Sequence, residues 1–246
     1  SYGRFMLHLL PISVIGLGLI ILVLRLLYKR EFTDKTPLLF PEGEPLRMGQ
    51  IARSGAIFTL IVVGFFFGKF LHLSIPLIAL VGSALILLLG KAKPSAIIHK
   101  VDWVLLLFFA SLFIVVAAVE KTGLFSGLLQ GNLFTTDLKG LGLVHGTSLL
   151  LSQVVSNVPF AVLMLPFLKA AGSDMLWLAL ASASTLAGNA TIIGAMANLI
   201  VIESAQKEGV TIGFMTFLKA GLVVTLLTLP LSMGWLYLQH LWGWIA

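Results

Sequence analysis

The chain contains no cysteine, which excludes a disulfide framework and any thiolate-held metal. Charge is scarce as well. Only 11% of the 246 residues are Asp, Glu, Lys or Arg, whereas 59% are hydrophobic. Soluble domains carry about 25% charged residues, so this chain lacks the polar groups to cover a water-facing surface. With a mean hydropathy of +1.06, most of its surface must face a lipid bilayer. The net charge of +6 comes from no basic stripe with interleaved aromatics, which excludes a nucleic-acid partner. HExxH, GxSxG and Walker patterns are missing, and no buried nucleophile stands beside a base, so the sequence supports no enzyme reading. No carboxylate lies in the middle of an apolar run; Asp102, Glu120, Asp174 and Glu203 all fall near ends. That removes the usual proton or voltage device.

What is present is a series of long apolar runs. A span needs roughly 20 apolar residues, because the hydrocarbon core is about 30 Å thick and a helix rises about 1.5 Å per residue. Plain spans are expected from His8 to Tyr28, Ser54 to Leu71, Ser74 to Gly90 and Trp103 to Val119. Lys29, Arg30, Lys35, Arg47 and Arg53 lie in one connection and Lys91, Lys93 and Lys100 in another. These two fall on the same side, which the positive-inside rule makes cytoplasmic. Residues Leu124 to Lys139 alternate apolar and polar and suggest a short interfacial helix, with a surface loop as the alternative. A final span is expected from Ile212 to Gln239, with Trp235, Tyr237, Trp242 and Trp244 as an aromatic belt. The chain opens Ser1-Tyr2-Gly3-Arg4 without Met, which reads as a chain lacking its natural start.

Two runs are irregular. Gly140 to Ala171 contains Ser152-Gln153-Val154-Val155-Ser156-Asn157-Val158-Pro159. Pro159 lacks a donor and disfavours helix at Val158, so the helix is expected to break there into two arms of about 20 Å, each too short to cross. A re-entrant hairpin fits, and a proline-kinked single span is the alternative. Asp174 to Ala205 is too long for one simple span, and its centre reads Gly188-Asn189-Ala190-Thr191, then Gly194 and Asn198. Two half-helices around an unwound segment explain it; one long tilted helix is the alternative.

Irregular backbone at membrane depth is tolerated where it lines a cavity. Ser156 and Asn157 at one break, and Gly188, Asn189 and Thr191 at the other, are therefore the candidate solute site. Half-helix N-termini there would face an anion, and freed carbonyls a cation. Ser148, Ser152 and Ser156 form a polar stripe, matched by Ser184, Thr185 and Asn189; close helix packing explains such stripes equally. His145 reads as a packed or interfacial histidine. With no buried carboxylate, any coupling ion would use neutral oxygens, as a sodium ion held by Ser156, Asn157 and Asn189 would.

The run Ser152 to Phe160, followed by Ala187-Gly188-Asn189-Ala190-Thr191-Ile192-Ile193-Gly194-Ala195-Met196-Ala197-Asn198, resembles the ion transporter superfamily, nearest to the ArsB/NhaD-type anion permeases related to the divalent anion/sodium symporters. Asp102-Trp103, Phe108-Phe109 and Glu120-Lys121-Thr122-Gly123 add to the likeness. The resemblance implies an all-α, inverted-repeat transporter, often a homodimer, with an elevator-like motion. It implies that Ser156, Asn157 and Pro159 form a hairpin tip and Gly188, Asn189, Thr191 and Gly194 an unwound segment, with Asn198 beside it. It also implies that residues 1–28 are the last helix of a first repeat, 29–53 a cytoplasmic connection and 54–246 the second repeat, the N-terminal repeat being missing. Ser156 stands where sodium/proton antiporters of this group carry an acid, which favours a secondary active transporter of a small anion, coupled to sodium or protons, in a bacterial inner membrane. A sodium/proton antiporter of the same fold, or an accessory fragment without transport of its own, are the competing expectations.

Overall fold

The computed structural model describes residues 2–33, 48–68, 70, 72–89, 93–122 and 134–245. The elements are α1 (Tyr2–Leu27), α2 (Lys29–Thr33), α3 (Met48–Phe67), α4 (Ile75–Leu89), α5 (Pro94–Ile98), α6 (Trp103–Lys121), α7 (Leu138–Val155), α8 (Asn157–Ala171), α9 (Asp174–Ala187), a 3-10 turn (Ile192–Gly194), α10 (Met196–Lys207) and α11 (Phe214–Leu241). No strand occurs among the described residues. Helices α1 and α11 are long and apolar enough to cross a membrane, and α3, α4, α6, α8 and α9 contain shorter apolar stretches. The expected interfacial helix, Leu124 to Lys139, falls mostly outside the described residues; Phe134 to Asp137 are not helical, and Leu138 and Lys139 begin α7.

The chain divides into two compact units. In the first, residues 1–7 and 35–107, α3 and α4 approach through glycine. A Cβ on Gly82 would lie 2.3 Å from Ile61, and one on Gly64 2.9 Å from Ile78, so each glycine is the hole that an isoleucine fills.

The second unit, residues 8–34 and 108–246, holds the irregular runs. Its α1 and α11 run antiparallel. The carbonyl of His8 accepts from Trp235 Nε1 (2.9 Å) and Gln239 Nε2 (3.1 Å), Gly16 faces Thr228, and the Tyr28 hydroxyl donates to the Thr216 carbonyl (3.1 Å). Asp137 caps α7 by accepting from Gly140 N–H at 2.9 Å. The Thr135 hydroxyl and that amide hold its carboxyl below the ordinary value.

Between α7 and α8 a single residue, Ser156, leaves the helical region with φ 68° and ψ 161°. The ring of Phe134, just before α7, meets that of Phe167, near the end of α8, with centroids 6.0 Å apart. The outer ends of the two helices are therefore together, and the chain doubles back at Ser156. The break falls three residues before Pro159, not at Val158 as the proline alone suggested. Pro159 is the third residue of α8, and in a first helical turn its missing donor costs nothing. The arms are 18 and 15 residues long, or about 27 and 22 Å. Gly172, at φ 63°, ends α8 in the left-handed conformation that glycine adopts without penalty.

Helix α9 is the centre of the unit. Met175, Leu176, Ala179, Ala183 and Ala187 are wholly buried, packed among Leu141 and Val144 of α7, Phe160, Met164 and Leu168 of α8, and Leu236 of α11. The same interior carries His145, Ser148, Ser152, Ser182, Thr225, Thr228 and Ser232, all buried, while Leu10, Leu17, Leu150 and Val154 are among the exposed large side chains. Hydroxyls inside and leucines outside is the arrangement a hydrocarbon solvent selects.

Candidate functional site

The long run from Asp174 is broken as its polar centre implies: α9 ends at Ala187, α10 begins at Met196, and a single 3-10 turn lies between. Breaking a helix frees carbonyls at the end of its first half. Side-chain amides take them up. Gln153, on α7 just before the reversal, donates Nε2 to the Ala187 carbonyl at 2.9 Å and to its own Leu149 carbonyl at 3.1 Å. Its Oε1 accepts the Thr191 hydroxyl at 2.8 Å, and Thr191 Oγ1 accepts the Gly194 N–H at 3.2 Å. Asn198, in the first turn of α10, donates Nδ2 to the carbonyls of Gly188 (2.8 Å) and Thr191 (3.0 Å).

Glycine makes this closure possible. A Cβ on Gly194 would stand 2.6 Å from Gln153 Oε1 and 2.8 Å from the Gly188 carbonyl, and one on Gly188 2.9 Å from the Ala195 methyl. The loop could not fold onto Gln153 with larger residues at these points.

The structure therefore brings Gly188, Thr191, Gly194 and Asn198 together, around a residue that sequence reasoning passed over. Gln153 received no role, although an amide deep in an apolar run needs a partner by the same logic that singled out Asn157 and Asn189. The carbonyls expected to face a cation instead accept from Gln153 and Asn198. The predicted tip residues differ among themselves. Pro159 is buried, and Ser156 and Asn157 are partly exposed. Asn157 Oδ1 accepts from the Val158 N–H at 2.9 Å, within the first turn of α8. Asn189 belongs to another face. Its carbonyl lies against Gly221 of α11, where an added Cβ would be 2.1 Å away, and the residue lines a groove between α1 and α11.

The polar stripes divide likewise. Ser148 and Ser152 are fully buried and their hydroxyls have no hydrogen-bond partner. Ser184 is buried, whereas Thr185 is exposed and bonds back to the Ala181 carbonyl. His145 is a packed residue: Nδ1 lies 2.8 Å from the Leu141 carbonyl and Nε2 3.1 Å from Ser232 Oγ, which is 2.8 Å from Ser182 Oγ. No group of three or more His, Cys, Asp or Glu residues that could hold a metal occurs among the described residues.

Residues 1–186 match the family model described as citrate transporter. An uncharacterized transporter of Mycobacterium bovis is 31% identical, covering 98% of this chain and 60% of that protein. A 46 kDa membrane protein of Mycobacterium leprae is 29% identical over 98% of this chain and 60% of its own length. The P protein of Mus musculus is 32% identical over 78% of this chain and 26% of its own length. The chain thus spans about 60% of the length of the mycobacterial relatives. No solved structure matches it significantly. An apolar, all-helical chain with a doubled-back helix pair and a broken helix, matched by this model over most of its length, belongs to the citrate transporter family of the ion transporter superfamily, a family of membrane transporters and not of enzymes.

Proposed function

We propose that this chain is the second repeat, with the last helix of the first, of a secondary active transporter that carries a small anion across a cell membrane. The observation that carries the reading is the Gln153 amide, which joins the reversal between α7 and α8 to the broken helix at Ala187 and Thr191. Two interruptions of helical backbone are thereby brought close together, which supports a solute site of the kind secondary transporters build from such breaks. In this reading α7 and α8 form a re-entrant hairpin, and Ser156 and Asn157 at the start of α8 present a helix N-terminus to the anion.

The pairing of Tyr28 with Thr216 supports the orientation expected from the loop charges. Both lie at the end of their helices that also carries Lys29, Arg30 and Lys219. Citrate, named in the description of the family model, is the first substrate to try. A sodium ion among Ser156, Asn157 and Asn189, or a proton gradient, would couple its movement, and the missing N-terminal repeat and a second copy would complete the protein.

The test is uptake by the full-length protein in proteoliposomes. Citrate and inorganic oxyanions are offered separately under an inward sodium or proton gradient. Gradient-driven entry of either anion class, lost in Asn157→Ala, is the expected result. Sodium-driven proton exit with no anion entry would instead establish a sodium/proton antiporter. No flux of any kind would leave a membrane protein without transport of its own.

A further inference from the structure

Antiparallel α1 and α11 part along one side to leave a groove of about 360 Å³, within the size range of small-ligand sites. Ile20, Leu24, Tyr28, Phe217 and Val224 line it, and Asn189 of the broken helix forms part of its wall. From Tyr28 to Ile20 it follows eight residues of α1, a length of about 12 Å. The Tyr28 hydroxyl bonds to the Thr216 carbonyl at one end. The same end carries exposed cations: Arg25 and Lys29 flank the lining residues Leu24 and Tyr28, and Lys219 lies between Phe217 and Ala220. From Arg25 to Glu31 the chain has three cations and one acid.

A soluble anion would need polar walls, whereas this groove is mostly apolar, with Asn189, Thr216 and Tyr28 its only polar side chains. A neutral hydrocarbon would gain nothing from the cations near that end. The combination selects an amphiphile with an apolar tail and an anionic head, in a protein already surrounded by such molecules. We propose that the groove seats one acyl chain of an anionic phospholipid, with its headgroup held by Arg25, Lys29 and Lys219. The tail then lies against Asn189, so the lipid touches the broken helix. This site is independent of which solute, if any, the protein carries.

The experiment is native mass spectrometry of the full-length protein incubated with phosphatidylglycerol or phosphatidylcholine in mild detergent. Each cation near a headgroup is worth roughly a fivefold gain in binding, so phosphatidylglycerol should be retained at least fivefold over phosphatidylcholine. The combined variant Arg25→Gln, Lys29→Gln, Lys219→Gln should bring that ratio close to one. Ala220→Trp, and separately Val224→Phe, should fill the groove and reduce retention of both lipids. A benzophenone side chain placed at Phe217 should cross-link to lipid, and this readout needs no groove-filling variant to fold. Equal retention of the two lipids by the native protein would overturn the proposal, as would an unchanged ratio in the charge variant. A cross-link from position 217 to the protein's own preceding segment would overturn it too, by showing that chain and not lipid fills the groove.

Discussion

Gln153 and Ala187, thirty-four positions apart, are joined by an amide-to-carbonyl hydrogen bond of 2.9 Å that ties α7 to the end of α9. Replacing Gln153 by Leu keeps the bulk but strands the Ala187 carbonyl and the Thr191 hydroxyl. The expected loss is about 1–3 kcal/mol of stability, read as a lower melting temperature of the full-length protein in detergent. Gly194→Ala should act through the same contact, since its methyl would press on Gln153 Oε1, and the double variant should cost less than the sum of the two.

Asn157 and Asn198 should separate into a transport residue and a structural one. Asn198 binds two backbone carbonyls, so Asn198→Ala should lower the melting temperature by an amount corresponding to about 1–3 kcal/mol. Asn157 bonds only locally, to Val158, so Asn157→Ala should leave the melting temperature within about 0.5 kcal/mol of native stability. It should nevertheless reduce uptake at least tenfold if the tip meets the solute. Equal melting losses in both variants would refute the distinction.

Gly221 is packed against the Asn189 carbonyl, and Gly234, thirteen residues along the same helix, has open space where a side chain would stand. Gly221→Ala should therefore destabilise by about 1–3 kcal/mol through overpacking. Gly234→Ala should stabilise by about 0.5–1 kcal/mol through helix propensity. Paired thermal melts of the two variants measure the contrast directly.

The hydroxyls of Ser148 and Ser152 are buried without a partner. Removing such a group relieves a desolvation penalty, so Ser148→Ala and Ser152→Ala should each raise stability by about 1 kcal/mol. Ser232→Ala should do the opposite, because His145 Nε2 and Ser182 both bond to that hydroxyl. A fall in stability for either of the first two would mean that the serine has found a partner, such as bound water or an ion.

The long apolar runs were legible because lipid imposes a length and a composition that few other environments do. The break after Ala187 was legible too, since a Gly-Asn-Ala-Thr centre in a run too long for one span leaves little else. What the sequence could not place was the partner of each polar residue. Pro159 drew the expected break toward Val158, yet the chain turns at Ser156, because a proline in a helix's first turn is harmless and only the fold tells which turn it occupies. Asn189 and Asn157 look equivalent as letters, but Asn189 lies on the α11 side of the break while the Asn157 side chain bonds only to the amide of the next residue. Gln153 was hidden between two serines whose regular spacing drew the eye, and its significance depends on a residue thirty-four positions away.

The amide clamps at Ala187, Gly188 and Thr191 have a mechanical consequence. Separating α7 from the broken helix would mean giving up the two hydrogen bonds that Gln153 makes to Ala187 and Thr191, in a medium that offers no replacements. In the carrier proposed above, moving this clamped assembly as one body would therefore cost less than prising it apart.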